Sequence, residues 1–196
     1  EDKSILDEVI INGGEAILTS NQHKTGTDRI FEAFKKLEIN NVDYILNLQG
    51  DEPGIDEKDI INLNNMMIDK GSDIGTMAAE INTKLLLKNE NVVKAIVEKK
   101  LSQKNFPKAL NFVRKDIPSI VKNIYHHIGI YIYKASALEK FVNLKQSKSE
   151  IKNRLEQLRA IDNDITINVA LAKSSPISVD TKEDFLAIKK IMEYKS

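Results

Sequence analysis

Apolar residues recur along this chain with two periods, that of a buried strand and that of an amphipathic helix, and the two alternate. The nearly continuous apolar run at 44–49 is typical of a strand buried on both faces. A helix capped by Asp56 is predicted to follow it and to reach about residue 70. Further strands are predicted at residues 15–20, 74–81, 92–98, 110–114, 128–133 and 165–173.

Helix-period segments fill the intervals between these strands. Their apolar faces are predicted to be Ile5, Val9 and Ile10 in a first helix, Ile30, Phe34 and Leu37 in a second, and Ile151, Leu155 and Leu158 in a helix that ends near residue 163. Ser147 and Glu150 have the capping-box pattern, and a terminal helix starts at Thr181, while residues 83–90 fit a short helix or a loop. The alternation predicts one α/β domain over residues 1–196, with a mainly parallel sheet covered by helices on both faces.

The composition excludes several classes of protein. Lys plus Arg and Asp plus Glu number 29 each, so the net charge is zero and no overall field attracts nucleic acid or an anionic membrane. The chain has no Cys and no apolar run near the roughly 20 residues of a membrane span. A cytoplasmic protein is predicted. Because the chain opens at Glu1 without Met or the features of a signal peptide, we expect it to start inside a longer polypeptide.

Carboxylates follow the predicted strands at the sheet edge where such folds bind ligands, in the loops at 49–53 and 179–181. Asp51 comes directly after a buried strand, and Asp180 precedes the terminal helix. Carboxylates in these places could hold magnesium together with the phosphate oxygens of a nucleotide. Taken alone, Asp51 also fits an ordinary turn, and Asp180 fits a residue just outside a helix capped by Thr181.

Other polar residues have both a binding and a structural interpretation. Gly26 at a helix start permits close approach of a ligand to the backbone amides, although a plain cap at Thr27 explains the pattern equally well. Arg114 at a strand end could bind a carboxylate with two hydrogen bonds or could be a surface residue. His126 and His127 enter an apolar strand on opposite faces, and one of them fits a buried core histidine.

Glu156, Gln157 and Arg159 lie off the apolar face of their predicted helix. Such residues most often form a solvated helix surface. None of these residues identifies a function by itself.

The order of the motifs, however, resembles one family. The run TSNQHKTGTDR at 19–29 followed by NLQGDEP at 47–53 is similar to the 3-deoxy-manno-octulosonate (Kdo) cytidylyltransferases, or CMP-Kdo synthetases. The resemblance covers nearly the whole chain, through NVVKA at 91–95, FVR at 112–114, HIGIY at 127–131, LEQLR at 155–159 and VDT at 179–181. The QGDEP run alone could belong to several sugar nucleotidyltransferases. The HIGIY and LEQLR segments narrow the resemblance to this family.

The resemblance implies the three-layer, Rossmann-like fold of nucleotide-diphospho-sugar transferases. It also implies a homodimer that transfers a cytidylyl group from CTP to Kdo, giving CMP-Kdo and pyrophosphate for lipopolysaccharide synthesis. Three groups of site residues are implied by the same resemblance: Asp51 and Asp180 as catalytic ligands of Mg²⁺; Gly26, Thr27, Asp28 and Arg29 at the nucleotide; and Gln49, Arg114, His127, Tyr131, Glu156 and Gln157 at the sugar acid.

The chain also departs from the family pattern. The opening strand and the basic loop that grips the triphosphate in the family have no counterpart here, so we expect an N-terminally truncated domain. The chain also has Gly54, Val113, Ile132 and Ser178 at positions where the family usually has other residues. Two alternatives stay open, a cytidylyltransferase for another sugar acid of the acylneuraminate type and a non-catalytic fragment.

Overall fold

The computed structural model describes residues 2–115, 117, 121–176, 178–179 and 181–193. Helices and strands alternate along much of the chain. In chain order they are α1 (Lys3–Ile11), α2 (Gly26–Lys36), β1 (Tyr44–Asn47), α3 (Glu57–Lys70), β2 (Ile74–Ala79), α4 (Lys84–Lys88), β3 (Lys94–Val97), β4 (Ala109–Val113), β5 (Ile124–Lys134), α5 (Ala135–Val142), α6 (Lys148–Asn153), α7 (Leu158–Asp162), β6 (Ile167–Leu171) and α8 (Lys182–Glu193). None of the helices in the described ranges is long and apolar enough to cross a membrane.

The long strand β5 organises the sheet. It pairs antiparallel with β3 near its start, with β1 near its end, and with β2 along its other edge. Strand β4 adds antiparallel to β3, and β6 adds parallel to β2, which gives the order β4-β3-β5-β2-β6 with β1 beside β5. Strands β1, β2, β3 and β6 therefore share one direction. The predicted α/β fold is confirmed, but the sheet is mixed because β5 runs against its neighbours, a direction that apolar periodicity does not encode.

Helices cover both faces of this sheet. Alternation along β5 turns Tyr133 toward a core that includes Phe141 of α5 and Leu158 of α7, and it turns Ile130 toward a core built on Leu63 of α3. Helix α3 lies very close to β2. A Cβ atom at Gly75 would stand only 2.5 Å from the Met67 sulfur, so this contact requires glycine.

The segment at 15–20, predicted as a strand, does not pair with a strand among the described residues. Side chains of α2 hold its backbone instead. Lys36 donates to the Leu18 carbonyl at 2.8 Å, and Arg29 donates to the Thr19 hydroxyl at 2.7 Å and to the Ser20 carbonyl at 3.1 Å. The predicted strand is therefore wrong: the segment has no regular structure, and side chains of α2 supply the partners that a neighbouring strand would supply.

The predicted helix after Ser147 is interrupted. The capping box of Ser147 and Glu150 is present, but α6 ends at Arg154, whose left-handed backbone (φ 53°) separates it from α7. Ile151 is consequently 62% exposed, whereas Leu155 and Leu158 are buried as predicted. The first predicted helix is present as α1, but none of its residues is buried, so the apolar face expected for Ile5, Val9 and Ile10 lies against no core.

Candidate active site

A small cavity of about 30 Å³ at the carboxyl end of β1 is lined by residues from seven separate parts of the chain. Its walls include five of the residues predicted for the two substrates, namely Thr27, Gln49, Tyr131, Glu156 and Gln157. Asn47, the last residue of β1, is buried beside them. These residues are up to 130 positions apart in the sequence, since 157 minus 27 is 130. The fold therefore joins the predicted nucleotide loop to the predicted sugar-acid wall.

The predicted nucleotide loop is the start of α2. Thr25 is its N-cap, and its hydroxyl accepts a hydrogen bond from the Asp28 amide at 3.3 Å. Gly26 lies next to Gln49, because a Cβ atom at Gly26 would stand 4.0 Å from the Gln49 side-chain nitrogen. The buried Thr27 hydroxyl is 3.3 Å from the Tyr133 hydroxyl, which ties the loop to β5.

The other two predicted nucleotide residues lie beside the loop in different ways. Asp28 has one carboxylate oxygen 4.0 Å from the buried Arg159 guanidinium. Arg29 is directed toward the segment at 15–20, where it donates to Thr19 and Ser20. Arg29 therefore holds that segment against α2 in this structure.

Glu156 supplies a carboxylate in the cavity wall. Its Oε1 atom is buried and makes no hydrogen bond within the described structure. Burial raises the pKa of Glu156, and the Thr25 and Thr27 hydroxyls beside it offset part of that rise. An unpartnered carboxylate oxygen at a cavity is suited to accept hydrogen bonds from a polyhydroxylated ligand.

Arg159 lies under this wall and is 2% exposed. Its Nε and Nη2 atoms donate to the two Glu150 carboxylate oxygens at 2.9 and 2.6 Å. Its guanidinium also lies 4.6 Å from the centre of the Phe141 ring. The sequence interpretation of Arg159 as solvated surface is wrong, because the break at Arg154 turns α7 so that this side chain points inward.

His127 stands in a row of rings that crosses the same face of the sheet. Its ring centre is 5.0 Å from Phe112 and 5.5 Å from Tyr131. Its Nε2 atom lies 3.0 Å from the Thr76 hydroxyl, which in turn donates to the Ile130 carbonyl at 2.7 Å. Burial, with a smaller effect of His126, lowers the pKa of His127 to about 3, so the imidazole is neutral at physiological pH.

Arg114 lies in a neighbouring cleft of about 950 Å³ and does not line the cavity. Its Nη1 atom donates to the Asn91 carbonyl at 3.1 Å. Lys115, Lys152 and Arg154 line the same cleft. Phe112 lines the cleft and contacts His127 edge to face; His127 does not line the cavity but contacts Tyr131, which does.

Asp51 lies exposed in the turn after β1. Its carbonyl accepts a hydrogen bond from the Val179 amide at 2.8 Å, and its carboxylate makes no hydrogen bond or ion pair in the described ranges. Asp180, the second predicted metal ligand, lies outside the described residues. Within the described residues no group of three or more His, Asp or Glu side chains is placed to hold a metal.

Three buried residues near the cavity were missed by the sequence analysis, namely Asn47, Thr76 and Tyr133. Asn47 had a detectable signal, because a polar residue ends an otherwise apolar strand. Thr76 and Tyr133 had none, since both are common residues in strands and their partners are 51 and 106 positions away.

The comparisons with known proteins identify the family of this chain. The sequence model of the family described as "Cytidylyltransferase" matches residues 1–167, which defines the class. The 3-deoxy-manno-octulosonate cytidylyltransferase of Paramagnetospirillum magneticum is 39% identical over 181 residues, covering 92% of this chain and 73% of that protein. The enzyme of that name from Bartonella quintana is 41% identical over 189 residues, covering 96% and 77%. The chain belongs to the 3-deoxy-manno-octulosonate cytidylyltransferase family.

Solved structures agree as well. The structure of a CMP:2-keto-3-deoxy-manno-octonic acid synthetase complexed with CTP superposes with a TM-score of 0.86 at 31% identity, covering all of this chain and 79% of the other. Apo UDP-glucose pyrophosphorylase superposes with a TM-score of 0.67 at 12% identity, a likeness of fold alone.

Proposed function

We propose that this protein transfers a cytidylyl group from CTP to 3-deoxy-manno-octulosonate, giving CMP-Kdo and pyrophosphate. The observation that carries the proposal is the cavity in which Thr27 and Gln49 face Tyr131, Glu156 and Gln157. The relatives named for this reaction support the choice of substrates, and the related synthetase solved with CTP supports the choice of nucleotide.

In this proposal the start of α2 receives the nucleotide. Gly26 leaves room for a ligand against the backbone, and the first amides of the helix, together with the Asp28 side chain, offer polar groups to the cytidine. Arg29 would keep the neighbouring segment in place through Thr19 and Ser20.

The opposite wall receives the sugar acid. Glu156 and Gln157 would bind its hydroxyl groups, with Gln49 and Tyr131 beside them in the same wall. Arg114 would bind the carboxylate from the adjoining cleft, where a planar guanidinium can make two parallel hydrogen bonds. His127, being neutral, would orient the Phe112 and Tyr131 rings between the two spaces.

The reaction requires mainly alignment. The oxygen of the anomeric hydroxyl attacks the α-phosphorus of CTP. The bond from that phosphorus to the α–β bridging oxygen breaks, so that pyrophosphate departs, and the hydroxyl proton leaves for solvent. Transfers of this kind are accelerated by positioning and by stabilisation of phosphate charge. The cavity supplies the positioning, because its two walls are fixed to one sheet.

We further propose Asp51 and Asp180 as the residues that would hold Mg²⁺. The exposed Asp51 carboxylate, which has no partner among the described residues, fits such an ion, and the Val179 amide donates to the Asp51 carbonyl at 2.8 Å. Mg²⁺ commonly takes one or two carboxylates and completes its shell with phosphate oxygens and water. When bound, the ion would neutralise part of the triphosphate charge.

The remaining expectations rest on the family resemblance. We propose that the protein acts as a homodimer in the cytoplasm and supplies CMP-Kdo for lipopolysaccharide synthesis. Neither a nucleic acid nor a membrane is proposed as a partner, because the net charge of zero provides no overall attraction to either.

The test is pyrophosphate release by the purified protein, expressed from its complete open reading frame, with CTP and Mg²⁺, on addition of Kdo or of an acylneuraminate at equal concentration. We expect release with Kdo, and in a competition of the two acids we expect Kdo to be consumed first. Preference for the acylneuraminate would favour the alternative sugar acid. Absence of release with both acids would contradict the proposal.

A further inference from the structure

Lys94, at the start of β3, is a buried charge outside the cavity. Its side chain is 0% exposed, and within the described ranges it makes no ion pair. Its Nζ atom donates to the Asn89 carbonyl at 2.6 Å and to the Arg114 carbonyl at 2.7 Å. The ammonium group is therefore held by two neutral acceptors.

A buried ammonium without a carboxylate partner is costly compared with an apolar side chain of the same size. Burial lowers the pKa of Lys94, the nearby Arg114 guanidinium lowers it further, and Glu90 opposes both. On the adjacent strand β5, His126 lies opposite Lys94 in the antiparallel register. Stability alone gives a weak reason for a lysine here, since a methionine would fill the same space.

Both acceptors of Lys94 belong to the segments that present Arg114. Arg114 directly follows β4, and its guanidinium donates back to the Asn91 carbonyl, two residues after Asn89. Lys94 thus donates to the backbone carbonyl of Arg114. It also donates to the turn at 89–91, where the Asn91 carbonyl accepts a hydrogen bond from the Arg114 guanidinium. Loss of the ammonium would release both ends of this arrangement.

We propose that Lys94 is a positioning residue, which fixes Arg114 at the cleft for the carboxylate of the sugar acid. The proposal rests on the proposed function, in which Arg114 binds that carboxylate. Lys94 does not touch the ligand. It acts through the Arg114 backbone.

The experiment is a double-mutant cycle on the whole protein, with Lys94→Met, Arg114→Ala and the double variant. KM for Kdo and for CTP, kcat and the thermal transition are measured for each. The matched control is Lys99→Met, which makes the same change at an exposed lysine two residues after β3; Lys99 lines neither the cleft nor the cavity.

Lys94→Met is expected to raise KM for Kdo about tenfold and KM for CTP less than about twofold, in the range of couplings seen within one hydrogen-bond network. In the Arg114→Ala background the same change should raise KM for Kdo less than about twofold. Lys99→Met should leave both KM values within about twofold. Independent effects of Lys94→Met and Arg114→Ala, or equal effects on Kdo and CTP, would overturn the proposal.

The Arg114→Ala arm separates this proposal from the function it rests on. Unchanged KM for Kdo in Arg114→Ala would overturn the assignment of Arg114 and the role of Lys94 with it. A raised KM in Arg114→Ala with an unchanged KM in Lys94→Met would overturn only the role of Lys94. Should Lys94→Met not fold, Lys94→Gln, which keeps a donor, goes through the same cycle, and failure of both to fold would assign Lys94 to stability and overturn the proposal.

Discussion

The Asp51 carboxylate is exposed and makes no hydrogen bond or ion pair with the described part of the chain, while the carbonyl of the same residue accepts the Val179 amide. Because the carbonyl and not the carboxylate makes this hydrogen bond, Asp51→Asn should remove an anionic metal ligand and keep the turn. We expect Asp51→Asn and Asp180→Asn each to lower Mg²⁺-dependent turnover at least about 100-fold, because metal stabilisation supplies several kcal/mol. Turnover against Mg²⁺ concentration and the thermal transition are the measurements.

The control for these variants is Asp69→Asn, which removes an exposed carboxylate near the end of α3. It should leave turnover unchanged. Near-normal pyrophosphate release by Asp51→Asn or Asp180→Asn would remove that residue from the metal site.

Arg114 tests the assignment of the second substrate. Arg114→Lys keeps the charge but loses the planar fork that matches a carboxylate, so KM for Kdo should rise about tenfold or more while KM for CTP stays nearly constant. Steady-state kinetics with each substrate varied in turn measure the difference.

Glu156→Gln is the companion variant on the cavity wall. It should also raise KM for Kdo, because a neutral amide offers only one acceptor oxygen. Equal impairment of Kdo and CTP by Arg114→Lys would show that Arg114 does not serve the sugar acid.

At the scale of elements, the joint between α6 and α7 depends on the buried Glu150–Arg159 pair. Burial alone would raise the pKa of Glu150, but hydrogen bonds from Arg159, Gln146 and the Ser147 amide outweigh it and lower that pKa. Glu150→Ala leaves a buried guanidinium without its carboxylate, and we expect it to lower the free energy of unfolding by about 3–5 kcal/mol.

Urea denaturation measures this loss against Lys189→Gln, which breaks the exposed Lys189–Glu193 pair on α8 and should cost less than about 1 kcal/mol. Similar losses in the two variants would mean that the buried pair contributes no more than a surface one.

The elements also show how far the sequence could be interpreted. Local signals were reliable, because the Asp56 cap and the Ser147 capping box need only residues within the first helical turn. The structure of the segment at 15–20 was missed, because its partners are side chains of α2. The break at Arg154 was missed as well, because it accompanies the buried pairing of Arg159 with Glu150.

The candidate site was predictable in a different way. The family motifs indicated Thr27, Gln49, Tyr131, Glu156 and Gln157, and the fold brings these five to one cavity. The spacing of these residues along the sequence gave no information on the distances between them in the folded protein. The separate cleft of Arg114 and the buried Lys94 beneath it required the three-dimensional structure.

At the scale of the whole molecule, the buried neutral histidine predicts loss of stability in acid. The folded pKa of His127 is about 3 and the ordinary value is 6.5, so the unfolded chain binds a proton that the folded protein does not. The stability from His127 is therefore complete above pH 6.5 and is lost as the pH falls toward 3. From pH 7 to pH 5 the loss should be about 2 kcal/mol.

His127→Gln isolates this effect, because glutamine can still bond Thr76 but does not titrate. The difference in unfolding free energy between the wild-type protein and His127→Gln should shrink by about 2 kcal/mol from pH 7 to pH 5. Urea denaturation at several pH values measures it. A difference that stays constant over this range would show that His127 is not held neutral by the fold.

The central claim is that one cavity joins a nucleotide to a sugar acid, and ³¹P NMR of the complete reaction tests it most directly. With CTP, Kdo and Mg²⁺ present, we predict that the CTP signals decay while a phosphodiester signal and pyrophosphate grow in equal amounts. Without Kdo the CTP signals should persist. Release of inorganic phosphate, or pyrophosphate without the matching phosphodiester, would contradict the account.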